Sequence, residues 1–197
     1  VDLKIHLDNM YHSTAFYGVM YQNFGTIKNV NIVLENSTNF SNQNTSMLAY
    51  YNYGAIENFA VQSKSSLYTS YNSSYLVTTN YGTIKNGYVY GEALETAYST
   101  HQTKKQIGSV VGYNIASGIL KNVYSLVDVN TIESGNEVDK QVGNLVGRNA
   151  GTIQNSYSVG SGENRDLSLD ANMGVSSGST PNLYYVSSDL YAGNAST

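Results

Sequence analysis

The sequence contains no cysteine and no tryptophan, and only one proline and four phenylalanines among its 197 residues. The absence of cysteine excludes disulfides, thiolate metal ligands and cysteine nucleophiles. Charged residues make up 12% of the chain, which is about half the usual share for soluble domains. The net charge is −4 and there is no basic run, so the chain lacks the clustered lysines and arginines that nucleic acid binding requires.

Long apolar runs are also missing, so the sequence predicts no membrane-spanning helix and no membrane insertion. Neither an initiator methionine nor a signal peptide is present, and we expect any targeting signal to lie outside this segment. Asparagine, serine and threonine take the place of charge, together with 19 tyrosines. This composition favours strands and turns over helices. A cysteine-free chain of this kind is typical of exported bacterial surface proteins.

One short phrase recurs along the chain: asparagine, a spacer, glycine, a small residue, isoleucine, any residue and a closing asparagine. The copies cover residues 23–29, 52–58, 80–86, 114–122 and 149–155, and a degraded sixth copy ends at Asn182. The closing asparagines lie 29, 28, 36, 33 and 27 positions apart, a period typical of solenoids. We therefore predict an all-β fold, a right-handed parallel β-helix (β-solenoid) of about six irregular coils, with residues 1–197 forming one unit.

The residue types of this phrase suit a turn between stacked strands. We expect the glycine to adopt a left-handed backbone conformation, the isoleucine to point into the core, and the closing asparagines to form a hydrogen-bonded ladder. The polar stretches 35–45, 91–107 and 129–141 differ in length and are predicted to be loops. The predicted ladder consists of Asn29, Asn58, Asn86, Asn122 and Asn155.

The strand after each closing asparagine alternates between apolar and polar residues, but the phase differs between copies. Large residues stand one and three places after Asn29, and two and four places after Asn122. Either the strand turns over or the bend absorbs a residue, and the sequence leaves both open. We expect the later tyrosines to pack into the core: Tyr88, Tyr124, Tyr157 and Tyr184.

Residues 143–159 form the best copy and resemble the GLUG motif of bacterial surface proteins. The resemblance covers most of the chain and is strongest in its C-terminal half. The first three copies depart from it, with Tyr21, Tyr50 and Thr78 in the second glycine position of the motif. GLUG repeats occur in Gram-positive adhesin-like virulence proteins and in streptococcal zinc metallopeptidases that cut immunoglobulin A1. The resemblance implies a non-catalytic module, cut from a larger protein of the bacterial cell surface or cell wall.

Catalytic and metal-binding motifs have simpler explanations here. Residues 174–178 match the G-x-S-x-G nucleophile elbow, but they lack the preceding apolar strand and the following helix. In the repeat, Gly174 and Gly178 occupy the positions of Gly147 and Gly151. The histidines form no H-E-x-x-H motif. We predict no catalytic residue, no metal ligand and no cofactor.

Phe24, Tyr53 and Tyr81 share one position of the repeat, between the first asparagine and the glycine. In a solenoid these rings stack one coil apart. Such a ridge either covers the turn as a structural stack, which we favour, or binds sugar rings or a protein partner.

Three functions remain open. The first is a non-catalytic spacer or substrate-positioning module of a large cell-surface protein, such as an immunoglobulin A1-specific zinc metallopeptidase. The second is an adhesin module that binds host glycan or glycoprotein. The third, a polysaccharide-active β-helix enzyme, is the weakest, because the acidic residues do not recur in register with the repeat. The expected partners are other domains of the same chain and a host glycan or glycoprotein.

Overall fold

The computed structural model describes residues 3–7, 17–36, 38–40, 44–69, 71–96, 105–131, 140–160, 173–176, 179 and 183–187. These residues form strands and turns, and none of them is helical. Accordingly, the described ranges include no helix that is long and apolar enough to cross a membrane. The prediction of an all-β fold is confirmed.

The described strands, numbered in chain order, pair into four sheets. Sheet 1 has eight strands: β1 (Leu3–Leu7), β3 (Thr26–Leu34), β6 (Ala55–Ser63), β9 (Thr83–Gly91), β13 (Ile119–Leu126), β17 (Thr152–Gln154), β18 (Ser156–Gly160) and β20 (Leu183–Ser187). Sheet 2 has six: β2 (Met20–Asn23), β5 (Ala49–Asn52), β8 (Val77–Asn80), β12 (Val111–Asn114), β16 (Val146–Asn149) and β19 (Met173–Ser176).

Two smaller sheets complete the described strands. Sheet 3 has four: β4 (Thr38–Phe40), β7 (Leu67–Thr69), β10 (Leu94–Thr96) and β14 (Val129–Thr131). Sheet 4 has two: β11 (Lys105–Gly108) and β15 (Lys140–Gly143).

The pairings between the described strands are parallel, and each joins equivalent positions of successive repeats. From β2 to β10 the chain visits sheet 2, then sheet 1, then sheet 3, and it completes this order three times in all. Ile27 therefore pairs with Ile56, Ile56 with Ile84, Ile84 with Leu120 and Leu120 with Ile153. The last four of these side chains are fully buried. The predicted parallel strand arrangement is thus confirmed.

The stretches predicted to be loops are partly strand, which corrects the sequence-based boundaries. Residues 35–45 contain β4, residues 91–107 contain β10 and most of β11, and residues 129–141 contain β14. Most of these strands are only three residues long, too short for an apolar–polar alternation to be recognised. They gain their order from in-register pairing with the neighbouring repeat.

The left-handed backbone conformation belongs to the closing asparagines and not to the glycines of the phrase. Asn29, Asn58, Asn86, Asn122 and Asn155 have φ between 48° and 57°. Among the described glycines only Gly18 and Gly91 have positive φ. The expectation for the phrase glycines is therefore wrong, and asparagine, which tolerates this conformation better than most residues, makes the bend.

The phrase glycine is instead needed for space. A Cβ atom on Gly54 would collide with the carbonyl oxygen of Gly25, and one on Gly82 with that of Gly54. Stacked turns therefore approach each other more closely than any side chain allows.

After the bend at each closing asparagine, the same positions of the strand are buried in every described repeat. The residues one and three places later are buried, as in Val30 and Ile32, or Val123 and Ser125. The tyrosines two places later therefore point outward, and Tyr88 is 42% exposed. Tyr124 and Tyr157 are half-buried and stacked, with ring centroids 4.5 Å apart. Their predicted place in the core is wrong, and the side chain of Tyr184 lies outside the described residues.

Candidate functional site

Phe24, Tyr53 and Tyr81 form a stacked column at the turn between sheets 2 and 1. The ring centroids of Phe24 and Tyr53 are 4.9 Å apart with planes 6° apart. Those of Tyr53 and Tyr81 are 4.6 Å apart with planes 22° apart. Phe24 is 71% exposed and Tyr53 39%, so solvent reaches these two rings, while Tyr81 is half-buried. The three rings predicted to share one position do lie together.

A second group of rings, which the sequence reasoning did not single out as a site, joins this column through Tyr51. The Tyr51 ring centroid lies 6.1 Å from that of Tyr53 and 6.2 Å from that of Tyr81. On its other side it lies 4.5 Å from Tyr50 and 5.4 Å from Tyr21. We call the whole set the aromatic surface; its members are Tyr17, Tyr21, Phe24, Tyr50, Tyr51, Tyr53 and Tyr81.

The aromatic surface arises where the early repeats depart from the glycine-containing pattern. Strand register places Tyr21 and Tyr50 in the column that holds Gly112 and Gly147 later in the chain. At Gly112, a Cβ atom would lie 2.7 Å from the carbonyl oxygen of Gln106, so the glycine lets β11 pack closely there. The tyrosines instead stack on each other at 5.5 Å. The feature of the sequence that could have predicted this site is therefore the tyrosine that replaces glycine at positions 21 and 50.

Three phenols of the aromatic surface have raised pKa values. Burial, followed by the proximity of Tyr51, raises the pKa of Tyr50 well above its ordinary value. Burial is also the main cause of the raised pKa values of Tyr51 and Tyr81. The seven members include no acidic or basic side chain, so the surface offers aromatic rings and hydroxyl groups.

A cation lies beyond the Tyr81 end of this surface. The Arg148 guanidinium carbon stands 4.8 Å from the ring centroid of Tyr113. This cation–π geometry places the positive charge against a ring of its own.

A buried asparagine ladder runs directly beneath the turn. The amide Nδ2 of Asn23 donates to Oδ1 of Asn52 at 2.7 Å, and the same bond continues at 2.8 Å to the next three asparagines. Each ladder member is at most 5% exposed. The first asparagine of each phrase supplies this inner ladder, which consists of Asn23, Asn52, Asn80, Asn114 and Asn149.

The inner ladder also fixes the turn itself. The second Nδ2 hydrogen of Asn80 is directed to the carbonyl of Gly82 at 3.0 Å, and Gly25 N donates to Oδ1 of Asn23 at 3.1 Å. In the fourth copy, two extra residues lengthen the turn, yet Asn114 still reaches Gly118 at 3.2 Å. The ladder therefore tolerates insertions that preserve the asparagine and the glycine.

The asparagines predicted to form a ladder lie in a separate outer column. Asn58 Nδ2 donates to Asn29 Oδ1 at 3.1 Å, and Asn122 Nδ2 donates to Asn86 Oδ1 at 2.9 Å. These bonds are exposed, and they run in the opposite direction to those of the inner ladder. The inner column was not predicted because the first and the closing asparagine of the phrase recur equally in the sequence. Only the burial pattern along the strands shows which of the two side chains points into the core.

The residues of the G-x-S-x-G match continue the repeat. Val175 pairs with Arg148, and Ser176 pairs with Asn149, so Ser176 occupies the next rung of the inner ladder column. The match thus lies partly in a sheet strand, β19, rather than between a strand and a helix. Among the described residues there is also no group of three or more His, Asp or Glu side chains arranged to hold a metal ion. His12 and His101 lie outside the described residues.

Comparison with known proteins adds no assignment to this geometry. The sequence matches no protein-family model and no curated protein sequence.

Proposed function

We propose that the chain is a β-solenoid module that acts as a spacer or substrate-positioning element of a large bacterial cell-surface protein. The observation that carries this proposal is the inner ladder, which joins five successive repeats through four buried amide bonds. In each repeat, the residues that define the phrase have structural tasks. The asparagines bond and bend the chain, and from the second copy onward the glycine allows close stacking and the isoleucine or leucine fills the core.

The repeat stack suits a spacer because adding a repeat extends the sheets along one direction without altering the contacts within other repeats. The polar stretches between the main strands can vary in length, since the ladder and the isoleucine column hold the register. The resemblance to GLUG repeats supports placement at the cell surface or cell wall. The resemblance is compatible with two kinds of full-length protein, an adhesin and an immunoglobulin A1-specific zinc metallopeptidase.

The direct test of a non-catalytic role is incubation of the chain with immunoglobulin A1, mucin and polysaccharides, with and without a metal chelator. We expect no cleavage products in any sample. Chelator-sensitive cleavage by the purified chain would contradict the proposal. The rest of the parent gene separates the two parents: an H-E-x-x-H motif indicates the peptidase, whereas repeats followed by a wall anchor indicate the adhesin.

A second candidate function is binding to a host glycan or glycoprotein, as in an adhesin. The specific observation that favours it is the exposure of the aromatic surface. Tyr17, Tyr21, Phe24 and Tyr53 are each about 40–70% exposed, although large rings of this kind stabilise a protein most when they are buried. Clustered exposed aromatic rings are characteristic of interaction sites.

A further inference from the structure

We infer that the aromatic surface binds a linear, uncharged polysaccharide in an extended conformation, with the sugar chain running along the column of Phe24, Tyr53 and Tyr81 at the turn between sheets 2 and 1. This inference rests on the binding function proposed above and names its ligand class. It draws on three features of the surface: its lack of charge, its hydroxyl-bearing ring edges and its regular spacing.

The lack of charge selects against ionic ligands. The aromatic surface consists of six tyrosines and one phenylalanine and includes no acidic or basic side chain, and Arg148 beyond its Tyr81 end is stacked on Tyr113. Lys28 and Lys85 share one carboxylate, that of Glu57, at 3.2 Å each, and these three side chains lie on sheet 1, outside the seven rings. Binding of an anionic polymer depends on clustered cations, and the aromatic surface itself includes none, so an uncharged ligand fits this surface better.

The ring geometry favours sugars over an apolar peptide. Within the stacked column, the faces of Tyr53 are occupied by Phe24 and Tyr81, so Tyr53 presents its edge and hydroxyl group to solvent. Phe24, at the end of the column, has no hydroxyl group and is 71% exposed. Sugars have apolar C–H faces that can pack on the exposed ring of Phe24, and hydroxyl groups that can bond to phenols, which donate and accept hydrogen bonds.

The spacing of the surface selects an extended chain. Successive rings of the column are 4.9 and 4.6 Å apart, as the spacing of strands in a sheet requires. This distance is close to the length of one hexose unit in an extended polysaccharide. A chain lying along the column therefore meets one ring edge per sugar, whereas a coiled polysaccharide such as amylose turns away from the line of the column.

The experiment is a binding titration of the chain with soluble glucomannan and mixed-linkage β-glucan, which are extended and neutral. Amylose and the acidic polysaccharide hyaluronate serve as comparison ligands. We expect binding to the two extended polymers and at least about tenfold weaker binding to amylose and hyaluronate, a difference of about 1.4 kcal/mol. No binding to either extended neutral polymer would overturn the inference.

The variants test whether the aromatic surface is the site. Simultaneous Phe24→Ala, Tyr53→Ala and Tyr81→Ala should weaken binding at least about tenfold. The matched control is Tyr124→Ala with Tyr157→Ala, which removes another stacked pair, on sheet 1, and should change affinity less than about twofold. Equal losses in both variants, or no loss in the triple variant, would overturn the inference.

A conservative variant keeps the test valid where the triple variant does not fold. Tyr53→Phe with Tyr81→Phe preserves the stacked rings and removes two hydroxyl groups. For each of the two hydroxyl groups that bonds the sugar, binding should weaken about 2–10-fold, which is the loss expected for one net hydrogen bond. Unchanged binding by a folded Phe variant would contradict the part assigned to the phenols.

The same samples separate this inference from the proposed non-catalytic function. Release of new reducing ends from the polysaccharide would contradict that function. Absence of binding without cleavage would contradict only the inference. Tight binding to a glycoprotein that persists after enzymatic removal of its glycans, with no binding to the polysaccharides, would assign a protein partner and overturn the glycan class.

Discussion

At the scale of single residues, asparagine has two different physical roles in this chain. The first asparagine of each phrase is buried and bonds to its equivalents through the side-chain amide. The closing asparagine lies at the surface and contributes its tolerance of a left-handed backbone. The repeat in the sequence identified both asparagine positions. It does not indicate whether an asparagine acts through its side-chain amide or through its tolerance of a left-handed backbone.

Asn86 provides a test of the second role, since its φ is 56°. Asn86→Ala should lower the free energy of unfolding by about 1–2 kcal/mol, because a Cβ without a local polar side chain is strained in this conformation. Asn86→Gly loses the same side-chain bond but not the backbone tolerance, so it should cost clearly less. Denaturant titrations of both variants measure this difference, and a larger loss for the glycine variant would contradict the assignment.

Gly82 tests the requirement for space between stacked turns. Gly82→Ala should lower the free energy of unfolding by about 1–3 kcal/mol, because the new methyl group meets the carbonyl of Gly54. The matched control is Gly25→Ala, where, among the described residues, the atom near the new methyl group is Asn23 Oδ1 at 4.0 Å. This control should stay within about 0.5 kcal/mol of the parent chain, and thermal or urea melts of equal midpoint for the two variants would exclude the steric explanation.

At the scale of strands, burial follows a fixed phase that is reset at each bend. The residues before and after the closing asparagine belong to one strand of sheet 1 in four repeats, yet alternation does not continue unbroken across the bend. This explains why the tyrosines of β9, β13 and β18 were misassigned to the core. The prediction assumed that the largest residues after each closing asparagine define the buried face. In these strands the buried positions, one and three places after the asparagine, hold smaller residues, and the tyrosines stand between them and point outward.

Ile153 and Gln154 test alternation in the best-formed repeat. Ile153 is fully buried, whereas its neighbour Gln154 is half-buried. Ile153→Ala should lower the free energy of unfolding by about 2–5 kcal/mol through lost packing and a cavity. Gln154→Ala should cost under about 0.5 kcal/mol, and similar losses in a urea titration would argue against this burial pattern.

The outward face of sheet 1 carries a charge contact whose effect depends on pH. Hydrogen bonds from Lys28 and Lys85 hold the pKa of Glu57 below its ordinary value. Because the folded-state pKa is lowered, the contact stabilises the fold above the unfolded-state pKa and is lost as pH falls through the folded-state pKa. Glu57→Gln should therefore be less stable than the parent at neutral pH, and the gap should close in acid. A gap that stays constant from neutral to strongly acidic pH would refute this origin.

At the scale of the whole molecule, the repeat period determines which residues pair across strands. It correctly predicted an all-β arrangement of parallel strands and the alignment of Ile27, Ile56, Ile84, Leu120 and Ile153. It did not predict the short strands of sheets 3 and 4 or the joining of Tyr21, Tyr50 and Tyr51 to the aromatic column. Those features depend on contacts between repeats at positions where the sequence does not repeat.

Asn80 lies in the middle of the inner ladder, and its replacement tests most directly whether that ladder holds the repeats together. Asn80→Ala leaves the buried amide of Asn52 without its acceptor and that of Asn114 without its donor. With about 1–3 kcal/mol for each unpaired group, we expect the free energy of unfolding in a urea titration to fall by about 2–6 kcal/mol, well beyond the loss for Asn86→Gly. A loss no larger than that of Asn86→Gly would contradict the central role of the ladder.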